Sequence, residues 1–291
     1  AHSADALTTG SYNVAIGYQT LGTEDTGNKN TAIGAYALQT LNYDGDGNNT
    51  AIGYNAGNAI TTGRYATLVG TYAGDAITTG TDNTAVGYGA LSSEDAHGGN
   101  TAIGMHTLNT QNAGADAYNT AVGFEAGRNV STGIKNVLVG GLAGDALTTG
   151  NYNTVLGYGA LSTENAHGSN TAIGYQALKS LDAGIEGYNV AIGYNAGEDM
   201  STGQRNTLIG TAAGADLTAG AYNVAIGYEA LSDEDAHGRN VAIGYQALAV
   251  QDAGADAYNV AIGFYAGTAI STGVNNTLIG GNVGDALTTG G

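Results

Sequence analysis

The sequence predicts an all-β fold, a parallel β-solenoid or β-roll of about 16 rungs with a 70-residue super-repeat of four rungs, on three observations. Glycine recurs at a fixed phase through the whole chain, from Gly17, Gly34, Gly53 and Gly70 in one cycle to Gly227, Gly244, Gly263 and Gly280 in the last. An asparagine stands four residues before each of these glycines, Ala66 being the one substitution. The steps run 17, 19, 17 and 17 residues, so the pattern closes every 70 residues: Asn13, Asn83, Asn153 and Asn223 are one position in four copies, and so are Gly17, Gly87, Gly157 and Gly227.

Composition agrees. Gly supplies 50 of 291 residues without the every-third spacing of collagen, and 42% of residues are apolar, too many for a disordered chain. We read residues 1–291 as one repeat domain: 1–12 finish a preceding unit, and 13–82, 83–152, 153–222 and 223–291 are four successive units. The motif D-A-L-T-T-G at Asp5, Asp145 and Asp285 puts both ends of the chain at one phase, which leads us to expect a segment of a longer fibre or a subunit that stacks end to end. Cys is absent, so there is no disulfide framework. No apolar run approaches the roughly 20 residues of a membrane helix, and a formal net charge of −18 argues against nucleic acid as a partner.

Aligning the rungs on Asn gives the pattern N-[TV]-[AL]-[IVL]-G-[YF]-x-A, as in Asn49 to Ala56. Thr or Val and then Ile, Val or Leu lie two apart, on one face of a strand, with Ala on the other. β-branching favours a strand and a glycine in every copy disfavours a helix. Leu68, Leu138, Leu208 and Leu278 take the Ala position once per unit. After the strand, two rungs of each unit continue with Leu and a polar segment, whereas the other two continue with Gly and a short apolar stretch ending in a turn at Gly63, Gly80, Gly133, Gly150, Gly203, Gly220, Gly273 or Gly290. These turn glycines are expected to supply positive φ. The Asn series reads as a structural ladder at a fixed corner. Tyr18, Tyr88, Tyr158 and Tyr228, with the other aromatic residues after the rung Gly, read as an aromatic stack that packs along one edge or offers a surface to a glycan.

The recurring N-T-A-I-G-Y-x-A-L at Asn170 to Leu178, and N-V-A-I-G-Y-x-A-G at Asn189 to Gly197, resemble the repeats of phage tail-fibre proteins and of trimeric autotransporter adhesin heads. The resemblance covers essentially the whole chain. It implies a left-handed β-roll with three chains side by side, an extracellular or virion location, and a part in reaching and gripping a cell surface; the repeated Tyr would suit a cell-surface glycan as a partner.

Acidic residues also repeat. Glu24, Glu94, Glu164 and Glu234 form one series and Asp25, Asp95, Asn165 and Asp235 the next; they read as solvated loop charges or as ligands for calcium, the one cofactor considered. Asp44, Asp46 and Asn48 resemble the opening of a calcium loop, without the bidentate Glu that such a loop needs, and Glu94 and Asp95 are the second calcium candidate. His97, His167 and His237 recur in A-H-G, where the first copy has Thr26 and Gly27. No nucleophile elbow, H-E-x-x-H or Walker loop is present, and carboxylate pairs such as Glu234 and Asp235 recur instead of marking one active site. The sequence thus points to a non-catalytic segment of an extracellular fibre that spaces or presents a receptor-binding surface. The alternatives are a self-assembling extracellular filament, or a solenoid that binds ice or polysaccharide through its Thr ladder; exchange of Thr for Val in that ladder reads as a buried position.

Overall fold

The structure is a computed structural model that describes residues 2–234 and 236–290. It is an all-β, parallel β-solenoid whose turns repeat every 17 or 19 residues, and the chain divides into two compact units, Ala1–Thr149 and Gly150–Gly291. The first unit contains β1 (Val14–Ile16), β2 (Thr31–Ile33), β3 (Thr50–Ile52), β4 (Thr67–Val69), β5 (Thr84–Val86), β6 (Thr101–Ile103), β7 (Thr120–Val122) and β8 (Val137–Val139). The second contains β9 (Thr154–Leu156), β10 (Thr171–Ile173), β11 (Val190–Ile192), β12 (Thr207–Ile209), β13 (Val224–Ile226), β14 (Val241–Ile243), β15 (Val260–Ile262) and β16 (Thr277–Ile279). Within each unit every strand pairs in parallel with the next in unbroken register, as in Ala32↔Ala51↔Leu68.

Three residues per strand would make a feeble sheet alone. The rung-to-rung hydrogen bonding continues around the coil: Thr31 N–H donates to Asn49 O at 2.8 Å, Leu38 to Ala56 O at 3.0 Å, and Thr61 to Thr78 O at 2.8 Å. Backbone donors of one turn thereby meet acceptors of the next at several points on the circuit, the requirement for a chain this rich in turns.

The small residue at the strand centre faces inward. Ala32, Ala51, Ala85 and Ala102 are completely buried, whereas the flanking Thr, Val and Ile are half-buried or exposed, Ile52 at 37% and Ile103 at 39%. The interior is narrow and is filled by volume exchange between rungs. Gly57 and Gly74 lack side chains where Leu38 and Leu91 stand in other rungs, and the buried Leu68 occupies that space: a Cβ on Gly57 would sit 2.7 Å from Leu68 Cδ1, and one on Gly74 2.8 Å from Leu68 Cδ2. The Leu that recurs once per 70 residues is thus the complement of the two-glycine rungs. Leu138 plays the same part beside Gly127 and Gly144, and Leu208 beside Gly197 and Gly214.

Two expectations are corrected. The turn glycines at 63, 80, 203, 220 and 273 do not have positive φ; a Cβ there would run into a carbonyl of the next rung, that of Gly80 at 2.7 Å from Gly63. They are glycine for lack of space. Positive φ belongs instead to the rung glycines, such as Gly193 at +144°, and to a large set of non-glycine residues. Leu21, Leu38, Leu91 and Leu161, the residues before the ladder asparagines such as Tyr12 and Tyr118, and the second residue after the rung Gly all lie in the left-handed region. Secondly, the Thr/Val position is not buried within the chain: Val14 and Val137 are 42% and 43% exposed, so Thr and Val interchange on an outward face.

Candidate functional site

The Asn ladder links successive rungs through side chain and backbone. Asn13 Oδ1 accepts from the Asn30 backbone N–H at 2.9 Å, Asn30 Oδ1 from Asn49 at 3.2 Å, and Asn83 Oδ1 from Asn100 at 3.1 Å; in the second unit Asn153 accepts from Asn170 at 3.1 Å and Asn223 from Asn240 at 3.0 Å. Many of the side-chain amides also donate across their own rung to the carbonyl fourteen residues on, from Asn13 to Gly27 O at 2.7 Å and from Asn83 to His97 O at 2.9 Å, whereas Asn30 Nδ2 and Asn100 Nδ2 are buried without a partner and Asn170 and Asn240 donate to Gly168 O and Glu234 Oε2. Asn153 and Asn223 hold the carbonyls of His167 and His237 likewise, both at 3.3 Å. One amide group therefore fixes two corners. The series is buried almost throughout, so losing a member strands polar groups in the interior.

Beside it run the rung glycines. A Cβ on Gly17 would lie 2.7 Å from the carbonyl carbon and oxygen of Gly34, and Gly87, Gly157 and Gly227 meet the next rung's glycine in the same way, each with φ between +136° and +143°. Close backbone approach and a backbone conformation forbidden to other residues coincide there.

The corner acids depart from the reading as solvated charges. Glu24, Glu94, Glu164 and Glu234 are wholly buried. Glu24 accepts from Gly27 N at 2.6 Å and from Tyr43 N at 3.3 Å, closing two corner amides that the turn leaves unpaired. Glu164 does the same with His167 N at 3.0 Å and Ala183 N at 3.2 Å. At Glu94 only Oε1 is engaged, by His97 N at 3.1 Å, and Oε2 is buried without a partner. Burial pushes the Glu94 carboxyl above the ordinary carboxylate range. Asp95 is exposed, and Asp235 lies outside the described residues. The stretch from Asp44 to Asn48 is arranged differently: Asp44 Oδ1 accepts from Thr26 Oγ1 at 2.7 Å, Asp46 pairs with Lys29 at 2.6 Å, and the Asn48 amide turns back on Asp46 O at 3.2 Å. The two carboxylates thus have separate protein partners and do not converge.

Two exposed lines of aromatic residues follow the rungs. Tyr18, Tyr88, Tyr158 and Tyr228 are 47%, 48%, 53% and 43% exposed, each next to an aromatic ring or an imidazole of the following rung. The other line was not read from the sequence. It occupies the residue before the ladder Asn, where Tyr188, Arg205, Tyr222, Arg239 and Tyr258 alternate on successive rungs of the second unit. Arg205 lies over the Tyr188 and Tyr222 rings at 5.8 and 5.4 Å, and Arg239 over Tyr222 and Tyr258 at 5.1 and 5.6 Å. In the first unit Arg64 sits between Tyr43 and Tyr65. The available signal was the dipeptide Tyr-Asn in alternate rungs, with a cation in the rung between.

No concave pocket occurs among the described residues, and no helix is long and apolar enough to cross a membrane. No family model matches the chain, and no curated protein or solved structure matches it either.

Proposed function

We propose that this chain is a non-catalytic structural segment of an extracellular fibre, of the phage tail-fibre or surface-adhesin kind, in which copies of the solenoid lie side by side, three together, and present their aromatic lines outward. The observation that carries this reading is the outward strand face. Every described rung places Thr or Val and then Ile, Val or Leu on it, with no charge at any of these positions in a chain of net charge −18. An uncharged β-branched strip on so acidic a protein is suited to cover by another copy, because a surface of that kind is costly to leave in water. The Tyr and Tyr–Arg lines, at another phase of the rung, would remain available to a cell-surface glycan. Replacing Ile52 and Ile103 together with Asp tests the proposal: the assembly should fall apart while the far-UV spectrum is kept, and an unchanged assembly would overturn it.

A second reading is favoured by the outward placement of the Thr/Val position. The interchange of Thr and Val was the sequence argument against an ice- or polysaccharide-binding face, and it no longer stands once the position is known to point outward. Thermal hysteresis in a dilute solution of the chain discriminates, since a fibre segment gives none.

A further inference from the structure

We propose that the buried Glu–His corners, Glu94 with His97, Glu164 with His167 and Glu234 with His237, are binding sites for a borderline divalent cation of the zinc class, one per 70-residue copy and absent from the first copy. Three positions after Glu24 stands Gly27, whose missing Cβ lets the carboxylate close against the corner and satisfy two backbone amides; a Cβ on Gly27 would lie 2.5 Å from Glu24 Cδ and Oε2. A corner of this design needs no histidine.

In the second copy His97 replaces that glycine. Glu94 then keeps one amide and is left with a fully buried Oε2 that has no partner, and the buried His97 Nδ1 has none either. His97 Nδ1 stands 3.8 Å from Glu94 Oε1, too far for a hydrogen bond. Two ligands each about 2.0–2.1 Å from one tetrahedral metal ion are roughly 3.4 Å apart. At Glu164, which keeps both backbone amides, His167 Nδ1 is 3.3 Å from Oε1 and within hydrogen-bond reach, and the same pair is 3.8 Å apart at His237 and Glu234, so the three corners bracket the separation that a shared ion would impose. A third carboxylate completes each group within 4.8 Å: Asp95 at the first, Asp182 at the second and Asp252 at the third.

The donor set selects the ion. An imidazole nitrogen with two carboxylates suits zinc or cobalt, whereas calcium takes six to eight oxygen ligands and discriminates against nitrogen. The imidazole side chains are 25–30% exposed, which leaves a path for the ion and room for water in the open position. The neighbouring Asn holds each histidine carbonyl, fixing the backbone that carries the ligand.

The test is titration of the full chain with ZnCl2 by calorimetry and with CoCl2 by visible absorption. Three equivalents are expected for the natural chain, two for His97→Gly, and none for the triple variant His97→Gly, His167→Gly, His237→Gly. Gly27 occupies that position beside Glu24, so the triple variant should melt like the natural chain in the absence of metal; a second triple variant with Gln at the same positions keeps a side chain in the corner and should also bind none. His2 and His106 remain in both variants, so zinc uptake that persists in either one overturns the proposal, as does displacement of zinc by an equal concentration of calcium.

Discussion

The two units share their backbone pattern and differ in how their aromatic side chains meet. In the first, Tyr18, Tyr36, Tyr54, Tyr72, Tyr88 and His106 form a zigzag whose neighbouring rings cross at 84–90° with centroids 5.3–6.0 Å apart. In the second, Tyr158, Tyr175 and Tyr194, and then Tyr228, Tyr245 and Phe264, lie nearly parallel, at 8–23°. Placement in the rung accounts for the difference. The zigzag alternates between the first and the second residue after the rung Gly, and the second has a left-handed backbone, as at Tyr36 and Tyr72, that turns its ring across its neighbours. The parallel stacks use the first residue in three successive rungs and stop where Thr211 or Gly281 takes it. A rigid repeat thus carries two surface textures, set by a one-residue shift. The Tyr–Arg line runs along successive rungs of the second unit, and in the first Arg64 lies against Tyr43 and Tyr65.

If the backbone is common to both units, equivalent rung glycines should fail equally. Gly53→Val and Gly193→Val both place a Cβ inside the carbonyl of the next rung at φ +144°, and each should cost at least about 3 kcal/mol, read as a large fall in melting temperature with loss of far-UV signal. An unchanged melt in either would remove close backbone approach as the reason for the period.

The ladder offers a change in the opposite direction. Ala66 interrupts it in the first unit: its N–H donates to Asn49 Oδ1 at 3.0 Å, but it has no side chain to offer Asn83 in the next rung. Ala66→Asn should stabilise the first unit by about 0.5–1.5 kcal/mol, while Asn206→Ala in the second should cost about 1–3 kcal/mol by stranding the Asn223 N–H and the Gly220 carbonyl. Denaturant melts of the two variants measure both.

Acid sensitivity also separates the units. Burial raises the carboxyls of Asp75 and Asp145 in the first unit, each with an unpartnered buried Oδ1, while in the second unit Ala215 and the exposed Asp285 take this place and burial raises the neighbouring Asp216 instead. A raised pKa in the fold means that the folded state holds the proton more tightly, so stability is lowest above the folded value and is regained as pH falls through it towards the ordinary 3.8. The melting temperature should therefore rise on acidification from neutral pH into the carboxylate range, and Asp75→Asn with Asp145→Asn should flatten that rise. The smallest effect is on the rings. Tyr54→Leu and Tyr175→Leu should each cost no more than about 0.5–1.5 kcal/mol, with only the second removing a parallel-ring signature from the near-UV spectrum.

The strand positions were legible because Asn, a β-branched pair and Gly repeat at fixed phase. What lay beyond that signal concerns direction and backbone. A three-residue strand has too short a period-2 pattern to say which face is inside, and the narrow coil selects the Ala that a wider core would have turned out. Left-handed leucines and tyrosines carry no compositional mark, so the sequence points to positive φ at Gly63 and its equivalents, where steric exclusion operates instead. Glu24 and its copies read as polar loop residues because the amides they close belong to a corner visible only in three dimensions.

The most direct test of lateral assembly is the mass of the folded chain in solution. Native mass spectrometry at micromolar concentration should give a species of three times 28.8 kDa, collapsing to one chain in the Ile52→Asp, Ile103→Asp variant; a natural chain that runs as a single 28.8 kDa particle would contradict the account.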